Sequence, residues 1–294
     1  MDPDRFFANP PWAGGRGPFR LGLAPIARSS WLAEAIAPEE QARKRDLLRH
    51  QRDAVLARVS GWDAIVDAAA VAVAQRLSER GIERAAGQSA DEAPHAPAPP
   101  DEPDPLARAA LGVPEDLCVM ARAPAGWTLV GACLCSPSFW RLGEKIGRPL
   151  DAVHAPVSGL VDALGVQIAQ FLDRLPVGRV FERRNWNLHH EAERFHPHPE
   201  TAPAPTAPED CAMLHVRSER QTLAKLDADS ILFTIDVGQF PLGSIVRHPA
   251  AMADLRRAVI AMTPDERQSF RYARHGELLL RWLDAQLERV LSVR

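Results

Sequence analysis

The stretch Leu214-His-Val-Arg-Ser-Glu-Arg-Gln-Thr-Leu223, followed by the run Ser230-Ile-Leu-Phe-Thr-Ile235, carries the most information about how this chain folds. Its charged residues Arg217, Glu219 and Arg220 lie between two apolar segments that are typical of strands. A fold usually fills its core at such places. The charges therefore need charged partners, a bound anion or open solvent.

A second stretch upstream, Arg179-Val-Phe-Glu-Arg-Arg-Asn-Trp186, has the same mixture of arginine and apolar residues. Two predicted strands therefore bring arginines and polar groups toward an apolar centre. This pattern indicates a pocket for a large ligand with acidic ends. A structural ion network among Arg217, Glu219 and Arg220 is the alternative, because such networks also place charges inside folds.

The composition is that of an ordinary globular protein. The chain has 294 residues, of which 46% are hydrophobic and 25% are charged, enough for one large domain with a substantial core. The net charge of −3 gives no electrostatic reason to expect nucleic acid or an anionic membrane as a partner. We interpret the basic run Arg43-Lys-Arg45 as a solvated helix face.

The cysteines and the N-terminus indicate a cytoplasmic protein. None of the four cysteines forms a CxxC pair, which favours buried free thiols in a reducing compartment. The N-terminal residues lack the apolar segment of a secretory signal. The most apolar run, Ala68 to Ala74, is too short to cross a bilayer.

Apolar and alternating runs predict about five strands. They are mostly joined as hairpins, one of them across Ala123-Pro-Ala-Gly126, and helices lie outside them. This arrangement predicts an α+β fold with an antiparallel sheet. The predicted strands are Asp116–Arg122, Trp127–Cys135, Arg179–Trp186, Cys211–Val216 and Ile231–Val237.

Helical patterns flank the strands at both ends of the chain. Residues 1–28, rich in proline, glycine and aromatic residues, are expected to form an arm laid against the body. Low-complexity, proline-rich residues 86–104 and 196–209 predict two flexible loops. The predicted helices are Pro38 to about Arg80 with a break near Ser60, Phe139–Ile146, Ser158–Leu175, Pro249–Ala261, Thr263–Phe270 with Thr263 as its cap, and Tyr272–Leu291.

A group of histidines and glutamates permits a metal site. Imidazole and carboxylate groups suit zinc or iron. The spacing matches no compact helical motif, however, and prolines surround half of the group, so the sequence favours a solvated loop. His215, by contrast, is interpreted as a pocket or core residue. The members of the group are His189, His190, His196, His198, Glu191 and Glu193.

His154 lies in a loop between two predicted helices. Pro149 and Pro156 stiffen this loop, and apolar residues surround the histidine. A neutral imidazole presented from a rigid apolar loop is what an axial heme ligand requires. A structural histidine is the alternative. The sequence carries no nucleotide-binding fingerprint, because Gly14-Gly-Arg-Gly17 precedes no strand–helix unit.

Several segments together resemble one family. The chain is similar to the heme-dependent oxidative N-demethylase family, specifically its heme-carrying alpha subunit, in the order of these segments. They are Leu21-Gly-Leu-Ala-Pro25, Val113-Pro-Glu-Asp-Leu-Cys118, Cys135-Ser-Pro-Ser-Phe-Trp140, Glu144-Lys-Ile-Gly147, His154-Ala-Pro-Val157, Arg184-Asn-Trp186, Arg217-Ser-Glu-Arg-Gln-Thr-Leu223, Leu232-Phe-Thr-Ile235 and Pro241-Leu242.

This resemblance implies a fold and an activity. It implies a PAS-like sheet that binds heme b, with residues 1–294 forming one domain with helical extensions. The implied activity is a monooxygenase-type oxidative removal of a methyl group from a small secondary or methylated amine, which releases formaldehyde and consumes O2. A separate reductase subunit carrying FMN and a 2Fe-2S cluster would supply the electrons.

The resemblance also implies roles for individual residues. His154 matches the histidine expected to ligate the iron, and Glu219 and Arg220 are the expected catalytic residues. The expected cofactor-binding residues are Lys145, Asn185, Trp186 and Arg217. Lys145 and Arg217 are cations that suit the heme propionates, and Asn185 and Trp186 match the family's Asn-Trp motif. A non-catalytic PAS-type module that binds heme or another ligand is the alternative, and a purely structural adaptor is a third hypothesis.

Overall fold

The computed structural model describes residues 2–18, 22–33, 35–87, 101–154 and 160–292, without the side chains of residues 82–87, 154 and 160–164. Within these ranges the chain forms an open sheet of seven antiparallel strands with helices around it. The predicted α+β class and the antiparallel sheet are therefore confirmed.

The sheet has the strand order β1-β5-β6-β7-β3-β4-β2. The prediction of about five strands was too low, because the two edge strands have only three residues each and show no alternating pattern. The strands are β1 Ala24–Ile26, β2 Leu56–Arg58, β3 Asp116–Ala123, β4 Gly126–Cys133, β5 Val180–His189, β6 His215–Lys225 and β7 Ser230–Pro241.

The bounds of β6 differ most from the prediction. The segment Pro208–Met213 is a 3-10 helix, so the strand begins at His215 rather than at Cys211. It then continues to Lys225, well past the predicted end at Val216. The charged residues Arg217, Glu219 and Arg220, which follow the predicted end, lie inside the strand, because their side chains find partners there.

The helices of the described part surround the sheet. They are α1 Pro3–Ala8, α2 Pro38–His50, α3 Arg52–Val55, α4 Asp63–Gly87, α5 Pro105–Ala110, α6 Leu142–Lys145, α7 Leu150–His154, α8 Leu160–Arg174, α9 Pro249–Ile260, α10 Pro264–Ser269 and α11 Tyr272–Ser292. Further 3-10 helices span Arg28–Ser30 and Leu242–Arg247.

Most helix predictions are confirmed to within a few residues. The capping box of α10 is present, with the Thr263 hydroxyl accepting from the Glu266 amide and the Glu266 carboxylate accepting from the Thr263 amide. The helix predicted over Phe139–Ile146 is wrong in its first half. Phe139 has a φ of 61°, a left-handed conformation that a right-handed helix cannot contain.

One face of the sheet is covered along its length. At one end α4 and α5 pack on a cluster that includes Val66, Leu117 and Leu232. At the other end α9 and α11 pack on Trp186 and Val216. The N-terminal arm joins this second cluster, as predicted.

The arm is held by aromatic contacts and one hydrogen bond. Phe6 stacks on Phe240 with ring centroids 3.9 Å apart. The buried Trp12 donates its indole N–H to the carbonyl of Ala251 at 2.9 Å. The first element of the arm is the short helix α1, which begins at Pro3, rather than extended chain.

The opposite face is apolar only at one end. There Leu172 of α8 and Leu175, which follows the helix, pack with Cys118 and Leu129 in a third cluster. Farther along β5, β6 and β7 the same face carries polar and charged residues. This change from apolar to polar along one face positions the candidate site.

The two proline-rich segments have different outcomes. Most of residues 86–104 lies outside the described residues, so the flexible loop predicted there stays a prediction. Residues 197–207 form no helix or strand, in agreement with the loop predicted at 196–209. Among the helices of the described ranges, none combines the length and the apolar character that crossing a bilayer demands.

Candidate functional site

The candidate site lies on the face of β5, β6 and β7 that is apolar only at one end. Directly paired residues of antiparallel strands point to the same side of a sheet, so the register defines rows across this face. The first row, Phe181, Leu223 and Phe233, is apolar. In the next three rows β5 and β6 contribute polar or charged residues: Arg183 and Gln221 beside Ile235, Asn185 and Glu219 beside Val237, and Asn187 and Arg217 beside Gln239.

Arg217 is a buried cation with protein partners on each of its nitrogens. It is only 2% exposed. Its Nε donates to Glu219 Oε1 at 2.9 Å, and its two terminal nitrogens donate to the carbonyls of Arg194 and Ser136. Desolvation of a buried guanidinium is offset only when its donors are satisfied. Arg217 therefore fixes β6 to the neighbouring loops.

Glu219 has a partner on each carboxylate oxygen. Arg217 occupies Oε1, and the Gln221 amide donates to Oε2 at 2.8 Å. The side chain of Glu219 keeps 14% of its surface exposed, and Asn185, which pairs with it across the strands, is half-buried. The Glu219 carboxylate is therefore held in place beside accessible polar groups.

Arg183 differs from Arg217 because its charge is not fully matched. Burial lowers the pKa of Arg183, and the Glu219 carboxylate opposes this shift only in part. The buried Arg183 Nε has no hydrogen-bond partner. A desolvated guanidinium with a free donor is suited to a carboxylate or another anion. Arg183 lies in a segment that was predicted to be a strand, but it was not among the predicted site residues.

Arg220 and Trp186 lie on the other face of the sheet. Arg220 donates to Glu182 at 2.7 Å and to the carbonyls of Trp31 and Ser30. Trp186 is buried against Trp12 and Phe270, with ring centroids 5.2 Å away in each case.

The expected site residues therefore separate into two groups. The structure brings Arg217, Glu219 and Asn185 together on one face of the sheet. It does not bring Arg220 or Trp186 to them, because neighbouring residues of a strand point to opposite faces.

Lys145 lies next to the helix that ends at His154. Its Nζ donates to the carbonyl of Val153 at 2.6 Å, and burial lowers the pKa of Lys145. An isolated bridge between Thr128 and Pro149 joins the start of the same segment to β4. The His154 side chain and residues 155–159 lie outside the described part, so the iron ligand stays a prediction.

Two members of the histidine group, His189 and His196, are buried, and the solvated-loop interpretation is wrong for them. His189 is fully buried and His196 is 5% exposed. Phe139 covers His189 with ring centroids 4.6 Å apart. Burial and the charge of Arg217 lower the pKa of His189 to about 2, so its imidazole is neutral. His198 is exposed, as predicted.

The loop interpretation failed because β5 is longer than its sequence pattern indicated. The strand was expected to end at Trp186 but continues to His189, which carries this residue into the interior. The following connection then folds back: Ser138 forms an isolated bridge with His196. Glu200, which sequence reasoning left out of the group, is buried beside His189. The sequence feature that could have identified Glu200 is its position between Pro199 and Pro203, in the same connection as His196.

The cysteines are buried thiols, as predicted. All four are free and buried. Burial raises the pKa of Cys211 to about 12, and it raises the pKa of Cys118 as well. A hydrogen bond with Cys135, followed by burial, raises the pKa of Cys133. The thiolate form that a metal requires is therefore disfavoured at these positions.

Comparison with protein families identifies a match that covers most of the chain. The family profile described as "Haem-dependent oxidative N-demethylase, alpha subunit-like" matches residues 38–277, which include the five long strands and each of the site residues named above. No curated protein matches the chain significantly.

Proposed function

The chain belongs to the heme-dependent oxidative N-demethylase alpha subunit-like family, and from this premise we propose that it binds heme b on the partly polar face of a PAS-like sheet. The proposed reaction removes a methyl group from a small secondary or methylated amine and releases formaldehyde. O2 is the proposed oxidant, and a separate FMN and 2Fe-2S reductase is the proposed electron donor. A cytoplasmic location accompanies this proposal.

The unmatched guanidinium of Arg183 is the observation that carries the proposal. Heme b combines an apolar macrocycle with two carboxylates. The face that holds Arg183 offers the apolar row Phe181, Leu223 and Phe233 immediately beside it. A heme carboxylate would accept a hydrogen bond from the Arg183 Nε, which has no partner in the protein. The residues present therefore fit this cofactor.

His154 is the proposed iron ligand. It ends α7, whose Val153 carbonyl is held by Lys145, and Val153 packs against the apolar cluster on the same face. The buried histidines His189 and His196 suit this role less well. Their rings pack against each other and under Phe139, so a macrocycle could reach neither without displacing these contacts.

The chain's own residues prepare the reaction around the cofactor. When bound, heme supplies the site of oxygen activation. Glu219 presents an anionic group that attracts and orients an ammonium substrate. Asn185 and Gln221 flank it with amide groups that hydrogen bond to the substrate or to water. Protons reach this face through the exposed side of Glu219.

Titration of the full-length protein with hemin tests the proposal. We expect the wild-type protein to develop a Soret band, and His154→Ala to lose or strongly shift this band. Arg183→Leu should weaken hemin binding by about tenfold, the value of one charge-assisted hydrogen bond. His198→Ala, which removes an exposed histidine, is the matched control. A colourless wild-type protein that does not take up hemin would overturn the proposal.

A non-catalytic module that binds heme is the second candidate, and one observation favours it. Both oxygens of Glu219 are already engaged by Arg217 and Gln221, which limits the free charge available to a substrate. Formaldehyde release from methylated amines with a surrogate reductase separates the candidates. Heme binding without turnover across a panel of amines would support the module.

A further inference from the structure

The connection between β5 and β6 brings three possible metal ligands together at the end of the sheet. His189 is the last residue of β5, while His196 and Glu200 lie in the connection. One ligand atom from each lies within 4.8 Å of the others. We propose that these three side chains bind a divalent transition metal ion, which fixes the connection to β5.

The ring nitrogens support this proposal. His189 Nδ1 and His196 Nε2 are buried and have no hydrogen-bond partner, in side chains that are 0% and 5% exposed. A buried polar atom without a partner is costly, and a metal ion would satisfy both atoms at once. A bound metal ion therefore accounts for two buried nitrogens that have no hydrogen-bond partner among the described residues.

The second nitrogen of each ring is already oriented. His189 Nε2 lies 3.3 Å from the Ser138 hydroxyl, and His196 Nδ1 lies 3.5 Å from Glu191 Oε2. Histidines that bind metals usually use one nitrogen for the metal and donate from the other to a carboxylate, hydroxyl or carbonyl oxygen. Both rings follow this division.

Glu200 supplies the anionic ligand. Its Oε1 lies 3.8 Å from His189 Nδ1 and accepts the His190 amide at 2.6 Å. Two imidazoles and one carboxylate match the ligand sets of zinc and ferrous iron. With metal–ligand bonds of about 2 Å, the ligand atoms must approach one another by on the order of 1 Å.

A second combination shares His196 but fits less well. Glu191 and Glu193 also offer ligand atoms near this histidine. Glu193 is exposed and Glu191 is half-buried, whereas His189 and Glu200 are buried. The buried set is therefore the proposed site, and Glu193 provides a control.

Metal titration of the chelator-treated, full-length protein tests the inference, with Zn²⁺ and Co²⁺ as the probes. It is performed without hemin, so its outcome is independent of heme binding. We expect one equivalent of Zn²⁺ by mass spectrometry, ligand-field absorption of bound Co²⁺, and a Zn²⁺-dependent rise in Tm. A wild-type protein that retains no stoichiometric Zn²⁺ or Co²⁺ would overturn the inference.

The variants locate the site. His196→Ala and Glu200→Gln should lose the metal and the rise in Tm, whereas His198→Ala and Glu193→Gln should keep both. Full binding by His196→Ala or Glu200→Gln, or loss in Glu193→Gln, contradicts the proposed site. If His196→Ala does not fold, Glu191→Gln tests the site instead. Glu191 lies beside His196 Nδ1, and removal of a carboxylate that orients a metal-binding histidine weakens metal binding by about tenfold or more. Unchanged affinity in Glu191→Gln then argues against the site.

Discussion

Arg217 and Arg183 lie on the same face of the sheet, but their guanidinium groups have different surroundings. Arg217 satisfies the carbonyls of two loops and one carboxylate oxygen of Glu219. Arg183 is desolvated, and its buried Nε has no partner. The first residue therefore stabilises the fold, and the second is available to a ligand.

This difference predicts opposite effects on stability. Arg217→Leu should lower the free energy of unfolding by about 3 kcal/mol, because it leaves buried carbonyls and the Glu219 carboxylate without their donor. Arg183→Leu should change it by less than about 1 kcal/mol. Urea unfolding of the heme-free protein measures both values. Equal losses in the two variants would contradict the assignment.

The sequence identified part of the site because charged residues inside apolar segments are conspicuous. The sequence predicted Arg217 and Glu219 as site residues, and these two do lie together. It also assigned Arg220 and Trp186 to the same site, which is wrong because they lie on the other face of the sheet. Alternation along a strand shows that Glu219 and Arg220 point to opposite faces, so this separation was accessible from the sequence. Arg183 was missed because its lack of a partner depends on the register of β5 and β6.

At the level of elements, local signals were the most reliable. The β3–β4 hairpin and the three C-terminal helices follow from turn residues, proline positions and a capping box. The edge strands β1 and β2 could not be predicted, because three residues carry no periodicity. They exist only because β5 and β4 offer free edges for pairing.

The contact between α4 and β4 gives a prediction for these two elements. A Cβ at Gly131 would lie 2.6 Å from Val66 Cγ2, so the helix packs directly on the strand backbone. Gly131→Ala should therefore destabilise the protein by about 1–3 kcal/mol through overpacking. Thermal and urea unfolding measure the loss.

A second substitution identifies the cause. In the double variant Gly131→Ala with Val66→Ala, the loss should be smaller than the sum of the two single losses, because the clash is relieved. Gly143→Ala is the control, since its Cβ would meet no atom within 4 Å. Additive losses would show that the close packing of Val66 is not responsible.

For the molecule as a whole, buried acids make stability depend on pH. Glu115 is fully buried and accepts the Ala33 amide at 2.5 Å. Burial and the charge of Asp236 raise the pKa of Glu115 from 4.5 to about 7. The folded protein therefore holds this proton more tightly than the unfolded chain. The associated stability is present below pH 4.5 and is lost as pH rises through about 7.

Glu115→Gln isolates this contribution. The amide oxygen still accepts from Ala33, but it no longer titrates. Relative to wild type, the variant should gain on the order of 1–3 kcal/mol between pH 4.5 and pH 8. Urea unfolding across this range measures the difference in stability between the variant and wild type. Burial lowers the pKa values of His189 and His275, so these residues make stability rise with pH, but their contribution is the same in both proteins and cancels in the difference. Parallel curves for the two proteins would contradict the assignment.

The two three-residue edge strands have a consequence for association. An exposed strand edge is a template on which another chain can add a strand. Here each outermost strand is too brief to align a neighbour, and Pro25 removes one amide donor from β1. Sheet-to-sheet polymerisation along these borders is thereby disfavoured. Another protein that binds this chain would accordingly contact helices and loops rather than extend the sheet.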